Sequence, residues 1–302
     1  MKLRGLFVAA ALLVGCAGAQ PAPTAPGSAT LSNSGSTSAD LDARVRRIEE
    51  RLAKLAEALD FLGRVYDQQK AQEAAQQREQ HDPNARFAVA IDDNLKAGMV
   101  NGPAAAPVTI VMAFDFACPY CERVHGVMDE LVTESKGDVR VVYKNLVVHP
   151  EVATDAHLAS CAAAKQGKYT AFTHEVFEKG FKAYASARDP AKLAEANLLK
   201  IAKDMGLDTG KLKKDMHSDA CKALVASDMT ELEKFNVNST PTFFINGHHI
   251  GGALDKGSFK ALIDEELKVA QSSGIPGADY YAKVVIGNGE KAFRSKADAT
   301  GN

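Results

Sequence analysis

The 302-residue sequence lacks the features that mark several classes of protein. Its formal net charge is only −2, and its lysines and arginines are spread along the chain, so no basic face with interleaved aromatic residues suggests nucleic acid. It has one CxxC and no HxxxH, whereas zinc sites usually take four ligands from paired motifs. Its N-terminal apolar run, residues 6–14, is too short to span a bilayer. We therefore expect no nucleic-acid partner, no metal and no other cofactor.

The first 39 residues are predicted to direct export and then to tether the protein. Lys2 and Arg4 precede the short apolar run, which is typical of an export signal at residues 1–15. The run ends in LVGC, which resembles a bacterial lipobox and predicts a lipid on Cys16; a plain signal peptide cut just after this point is the alternative. Residues 16–39 are rich in small residues and proline and are expected to be flexible. An exported protein, lipid-anchored to a bacterial membrane, can keep disulfides.

Residues 40–82 are predicted to form a long coiled-coil helix. Apolar residues recur at alternating spacings of four and three, which is the heptad pattern. The stripe is narrow, and this favours self-association through residues 40–66 over the alternative, a helix folded back on its own domain. The pattern leaves dimer and trimer open. The residues of this apolar seam are Leu41, Val45, Ile48, Leu52, Leu55, Leu59, Leu62 and Tyr66.

An α/β domain is predicted from residue 87 to residue 271. Its first strand, helix and second strand follow each other at a spacing that argues for a parallel pair. Residues 272–302 form a weakly patterned tail for which the sequence predicts no role. The predicted elements are a strand at 108–116, a helix from Pro119, a strand at 139–148, a helical insertion at about 151–235, a strand at 240–245 with an Asn-Gly hairpin turn, and a closing helix at 262–270.

The candidate active site is the CPYC motif, Cys118, Pro119, Tyr120 and Cys121, between the first strand and the helix. At the helix N-cap, the Cys118 sulfur faces unpaired amides and the positive end of the helix dipole, so its pKa should lie below about 8.5. Pro119 fits the first helical position, where its missing N–H costs nothing. Cys121, one turn on, is placed to attack a mixed disulfide formed at Cys118. A structural disulfide and half of a zinc site are the alternatives to redox chemistry.

Two further cysteines, Cys161 and Cys221, remain once the CPYC pair and Cys16 are assigned. An even count in an oxidising compartment predicts a structural disulfide between them, with two buried free thiols as the alternative. Closing a loop of about 60 residues would stabilise the fold by about 4 kcal/mol in the chain-entropy model.

Residues 108–267 resemble the exported DsbA-like branch of the thioredoxin superfamily. The resemblance rests on the residues leading into the CPYC motif, on the strand ending YKN at residue 145, and on the stretch 162–168. A CPYC followed by a helical insertion and then TPTFFING at 240–247 is strongly specific. The resemblance implies an α/β, thioredoxin-like fold with a helical insertion.

The resemblance also implies how the site binds substrate. Pro241 is expected to follow a cis peptide bond, which exposes backbone that can pair with an extended peptide. Thr240 would contribute its backbone to the substrate, with its hydroxyl close to Cys118. Pro119 and Tyr120 complete the expected substrate-binding residues.

Other polar residues near the motif are candidates for tuning it. Asp115, at the end of the first strand, and Lys144, on the neighbouring strand, could relay protons to Cys121, although a solvated strand end explains each as well. Glu122 favours the helix through its dipole but disfavours a nearby thiolate. His125 lies on the same helix face as the two cysteines, and an ordinary surface histidine is the alternative.

The predicted function is thiol–disulfide exchange on exported proteins that are unfolded or carry wrong disulfides, with a redox partner that resets the CPYC pair. The PY dipeptide and Thr240 resemble isomerase or reductase branches more than the DsbA type, in which Pro-His and a valine are typical at these positions. The heptads agree, because oligomeric isomerases hold several sites around one cleft. The long insertion favours the alternative, a DsbA-type oxidant. A lipid-anchored holdase with a structural disulfide, and a dedicated reductase for one exported partner such as a cytochrome maturation factor, also stay open.

Overall fold

The computed structural model describes residues 37–299, which divide into two units at Tyr66. The first unit contains most of helix α1, Ser38–Glu79, and the second contains the end of that helix and all later elements. The long helix predicted from the heptads is therefore present. Cys16 and the predicted signal lie outside the described residues. Over residues 37–299, none of the helices has the length and apolar character needed to cross a membrane.

Helix α1 leaves its apolar seam in solvent. None of its residues is buried. The eight seam side chains, from Leu41 to Tyr66, are between 48% and 67% exposed. The apolar seam that the heptads predict is therefore exposed along its length in this chain.

The central part of the second unit follows the order strand, helix, strand, helical segment, hairpin and helix; a short helix and a short strand precede it, and further short helical segments follow it. Its elements are α2 (Asp92–Lys96), β1 (Val100–Asn101), β2 (Val108–Phe114), α3 (Pro119–Glu134), β3 (Val139–Asn145), α4 (Pro150–Ala164), α5 (Tyr169–Glu175), a π-helical turn (Val176–Phe181), α6 (Lys182–Ala187), a 3₁₀ turn (Pro190–Lys192), α7 (Glu195–Asp204), α8 (Thr209–Met216), α9 (Asp219–Glu233), β4 (Thr242–Ile245), β5 (His248–Gly251), α10 (Lys256–Ser272), α11 (Gly277–Tyr280), a second π-helical turn (Tyr281–Ile286) and α12 (Lys296–Ala299).

Over the described residues, the sheet has five strands in the order β1-β3-β2-β4-β5. Strands β2 and β3 are parallel, with Val108 opposite Val139 and Phe114 opposite Asn145, and the other pairs are antiparallel. The predicted parallel pair is thus confirmed. Both central strands are buried along their whole length, because α3 crosses over one face and further segments cover the other.

Alternate residues of β2 contribute to two hydrophobic cores, as strand geometry requires. Ile110 and Met112 pack with α3 and the helical insertion, whereas Val111 packs on the opposite face with Phe87. The segment after residue 272 belongs to this second core. Its Tyr281 is buried there and donates a hydrogen bond of 2.8 Å to the carbonyl of Val89. The segment after residue 272, for which the sequence predicts no role, therefore covers one face of the sheet.

The predicted Asn-Gly hairpin turn is confirmed between β4 and β5. Asn246 has φ of 45° and Gly247 has φ of 90°, the left-handed pair that a two-residue hairpin needs. The Asn246 side chain accepts a hydrogen bond of 2.9 Å from the backbone N–H of Thr109. A Cβ on Gly247 would lie only 3.0 Å from the carbonyl oxygen of Phe87, so this position also needs glycine for space.

The helices between β3 and β4 form the predicted helical insertion, and a disulfide joins two of them. Cys161 in α4 and Cys221 in α9 are bonded, with their Cα atoms 5.7 Å apart. Both residues are buried in the larger core. The bond therefore ties the first helix of the insertion to its last.

Candidate active site

The two CPYC thiols lie where β2 leads into α3. Cys118 has extended backbone, with φ of −88° and ψ of 120°, and is the N-cap residue of α3, with Pro119 starting the helix. The Cys118 carbonyl accepts hydrogen bonds from the N–H groups of Cys121 at 3.1 Å and Glu122 at 3.2 Å. Cys118 is 4% exposed and Cys121 is fully buried, and both are free thiols.

The pKa of Cys118 is lowered and the pKa of Cys121 is raised. A hydrogen bond from Cys121 lowers the pKa of Cys118 most; burial opposes it, but hydrogen bonds from Thr240 and from the backbone N–H groups of Cys121 and Tyr120 bring it from 9.0 to about 5. Burial raises the pKa of Cys121 well above 9.0, and the neighbouring Cys118 sulfur raises it further. At neutral pH, Cys118 is therefore a thiolate and Cys121 a protonated donor to it. The direction is the one expected for an N-cap cysteine, but the largest cause is the Cys121 side chain rather than the backbone amides.

The loop that opens β4 lies against the Cys118 sulfur. The Thr240–Pro241 peptide bond is cis, as the resemblance implies. Cys118 Sγ lies 3.4 Å from the carbonyl oxygen of Thr240. Tyr120 is 52% exposed, with the Arg123 guanidinium 4.9 Å from its ring centre. The structure thus brings both thiols, the cis-proline loop and an exposed aromatic ring into one region, in which Cys121 is fully buried.

Asp115 is fully buried and does not lie at a solvated strand end. Its carboxylate accepts hydrogen bonds from the backbone N–H groups of Ala117 at 2.7 Å, Val148 at 2.8 Å and His149 at 3.1 Å. Burial raises the pKa of Asp115, but the nearby His157 ring, whose Nε2 lies 3.9 Å from Oδ2, and the backbone donors outweigh it and lower the pKa to about 2. These bonds also turn the chain out of the sheet, which explains why β2 and β3 end before the predicted residues 116 and 148.

Lys144 is likewise buried. Its Nζ donates hydrogen bonds of 2.8 Å to Asn94 Oδ1 and 2.8 Å to Asp228 Oδ1. Asp228 Oδ2 accepts from the backbone N–H of Asn145 at 2.9 Å. These contacts make Lys144 part of a buried ionic network that joins β3 to α9. Proton relay by Asp115 or Lys144 stays a prediction, and the contacts of both residues favour a structural role.

The other two polar residues singled out from the sequence are both on α3. Glu122 lies 3.6 Å from the Nζ of Lys182, in α6. His125 is 2% exposed rather than a surface residue. Sequence reasoning missed Asp228 and Asn94, because each is far along the chain from Lys144 and no local motif marks them.

Comparisons with known proteins agree with this geometry. The family described as Thioredoxin matches residues 94–265. A thioredoxin-like oxidoreductase from Silicibacter pomeroyi DSS-3 is 30% identical, with a TM-score of 0.51 over 59% of this chain and 99% of that chain. Oxidised BdbD from Bacillus subtilis is 24% identical, with a TM-score of 0.52 over 63% of this chain and 99% of that chain, a likeness that shows the fold.

Curated relatives include the Na(+)/H(+) antiporter NhaA 1 of Mycobacterium sp. (strain KMS), 34% identical over 164 residues. The match covers 53% of this chain and 25% of the antiporter, so the chain spans about a quarter of the length of these curated relatives. The family match covers the residues that carry the fold and the CPYC motif, and the structural likeness is to a thioredoxin-like oxidoreductase.

Proposed function

This chain belongs to the thioredoxin family, and from that premise we propose that it is a thiol–disulfide oxidoreductase acting on exported proteins through Cys118 and Cys121. The observation that carries the proposal is the position of the free, nearly buried Cys118 thiol at the N-cap of α3, with the buried Cys121 one turn on and the cis bond before Pro241 beside it; this setting lowers the pKa of Cys118 and raises that of Cys121. A structural thiol needs neither a depressed pKa nor an adjacent peptide platform.

The exchange begins when the Cys118 thiolate attacks one sulfur of a substrate disulfide. The substrate S–S bond breaks, a Cys118–substrate bond forms, and one substrate sulfur leaves as a thiolate. Cys121 then loses its proton and attacks the Cys118 sulfur, which releases the second substrate thiolate and closes the CPYC disulfide. Two electrons have passed from the CPYC pair to the substrate; one substrate sulfur takes the proton released by Cys121 and the other takes a proton from solvent. A dithiol redox partner then restores the pair. In isomerisation, a substrate thiolate attacks the mixed disulfide instead and Cys118 leaves.

We assign substrate positioning to the loop and rim around Cys118. The backbone of Thr240 and Pro241 would pair with an extended substrate segment beside the sulfur. The 3.4 Å distance from Cys118 Sγ to the Thr240 carbonyl supports this assignment. Pro119 and Tyr120 are exposed at the start of α3 and would contact the flanking substrate residues.

The proposed direction is isomerase or reductase, on the grounds of Tyr120 in the motif, Thr240 before the cis-proline and the exposed seam of α1. Refolding of scrambled ribonuclease measures it. Wild-type protein with reduced cysteines should restore ribonuclease activity, whereas the Cys118→Ser variant should not. Failure of the wild-type protein to rescue would reject the isomerase direction.

A DsbA-type oxidant is the second candidate, and the pKa of Cys118 favours it. A pKa of about 5 makes Cys118 a good leaving group and stabilises the reduced pair. The reduction potential of the Cys118–Cys121 couple separates the two. A value near about −120 mV would select the oxidant, and one near about −270 mV the reductase.

Insulin reduction tests the oxidoreductase assignment itself against a holdase. We expect Cys118→Ser to abolish insulin reduction, whether or not the variant still protects an unfolded client from aggregation. If the variant left both reduction and protection unchanged, the thiols would be structural and the holdase would be favoured.

We further propose that the protein self-associates through residues 40–66 and is held at a bacterial membrane by a lipid on Cys16. The support for self-association is the seam on α1, which has no buried residue. Leu52→Glu places a charge in the seam and should convert the oligomer to a monomer in analytical ultracentrifugation. Ala53→Glu, at an outward heptad position, is the matched control. For the lipid, Cys16→Ala should move the protein from the detergent phase to the aqueous phase in detergent partitioning.

A further inference from the structure

A second cluster of reactive side chains lies one turn beyond the CPYC pair on α3. His125 and Asp129 lie one turn apart on this helix, and His174 reaches them from α5. One ligand atom from each of the three lies within 4.8 Å of the other two. The cluster is separate from the thiol chemistry and independent of the function proposed above.

His125 is the unexplained member of this cluster. It is 2% exposed, and neither ring nitrogen has a hydrogen-bond partner among residues 37–299. Its Nε2 lies 3.7 Å from Asp129 Oδ2, too far for a hydrogen bond. Buried polar groups in folded proteins almost always have partners, and an ion is one of the few explanations for an exception.

Neighbouring residues hold the side chains of Asp129 and His125 in an orientation that suits metal binding. Asp129 Oδ1 accepts a hydrogen bond of 2.8 Å from the side chain of Asn101, in β1, so Oδ2 is the oxygen turned toward His125. The His125 ring centre lies 5.1 Å from that of Phe177, which gives an apolar inner wall. Asp129 and His174 line a cavity of about 430 Å³ open to solvent. An ion can therefore reach Asp129 and His174 from solvent, and one coordination position would face water.

We propose that His125, Asp129 and His174 bind a divalent transition-metal cation, with Zn²⁺ as the best match. Two imidazoles and one carboxylate suit Zn²⁺, whereas Mg²⁺ and Ca²⁺ take oxygen ligands. Tetrahedral ligands about 2.1 Å from zinc lie about 3.4 Å apart. The exposed His174 side chain can rotate to close the present spacing, and the bound ion would join α3, which carries the thiols, to the helical insertion.

The test uses the full-length, untagged chain with Cys16→Ser, Cys118→Ser and Cys121→Ser, so that free thiolates cannot bind the probe. Titration calorimetry with Zn²⁺ should show one site. His174→Ala in this background should weaken binding at least about tenfold, and because His174 is exposed the variant should stay folded. His217→Ala, which removes an exposed histidine paired with Glu195, is the matched control and should bind Zn²⁺ as the parent does.

Two further readouts identify the ligands. Co²⁺ should give the visible absorption bands of a tetrahedral site, and these should disappear in His174→Ala and in Asp129→Ala. Zn²⁺ should raise the thermal unfolding midpoint of the parent and not that of His174→Ala. Absence of Zn²⁺ binding, or Zn²⁺ binding of equal affinity in the parent, His174→Ala and Asp129→Ala, would overturn the proposal.

Discussion

Replacing Cys121 with alanine is predicted to raise the pKa of Cys118. The fall in the pKa of Cys118 from 9.0 to about 5 corresponds to about 5 kcal/mol of preferential stabilisation of its thiolate. The hydrogen bond from Cys121 is the largest contribution. Because a hydrogen bond to a charged group contributes about 1.5–3 kcal/mol, its loss should move the pKa from about 5 to between about 6 and 7.

The assay is the pH dependence of alkylation of the reduced protein by iodoacetamide, followed by mass spectrometry. The reductant is limited to an amount that opens the CPYC pair and leaves the buried Cys161–Cys221 bond closed, and peptide mapping separates the Cys118 adduct from those of Cys16 and Cys121. Cys121→Ser keeps a hydroxyl donor and is the matched control, so its midpoint should stay closer to that of wild type. A wild-type midpoint near 8.5, or an unchanged midpoint in Cys121→Ala, would refute this account of the thiolate.

Three further predictions concern stability. Because the folded pKa of Cys118 is depressed, the unfolding free energy of the reduced protein, relative to Cys118→Ala, should be highest above pH 9.0 and fall as the pH drops toward about 5, as measured by urea denaturation. Asp115→Asn should lower the free energy of unfolding by about 2 kcal/mol at neutral pH. Because the folded pKa of Asp115 is depressed, wild type should lose this stability as the pH falls from 3.8 to about 2, and the variant should not. An equal loss of stability in both proteins over this pH range would contradict the prediction. Replacing Cys161 and Cys221 together with alanine should cost about 4 kcal/mol in the same denaturation assay, without changing the Cys118 alkylation midpoint.

Much of the fold could be predicted from local sequence. Strand-like apolar runs on either side of a helix predict the parallel pair, and the Asn246-Gly247 dipeptide predicts the hairpin. The heptad spacing predicts α1. The position of the CPYC motif between a strand and a helix start could also be predicted, because N-cap geometry and proline at the first helical position depend only on the local sequence.

The buried polar contacts could not be predicted in this way. Lys144 and Asp115 look like residues of a solvated strand end until the distant Asp228, and the loop that carries His149, are folded over them. His125 is buried by the insertion that also carries His174, and no spacing rule connects these residues. The last segment contributes Tyr281 through a π-helical turn, which has no regular helical periodicity for sequence reasoning to detect.

The most direct test of the central claim is a mixed-disulfide trap. In Cys121→Ala, Cys118 should attack scrambled ribonuclease and remain bound to it, because no second thiol can release the product. The account predicts a covalent complex that is dissolved by dithiothreitol and is absent when Cys118→Ser is added. Failure to form the complex, or a complex that persists without Cys118, would contradict the assignment of this pair as the redox site.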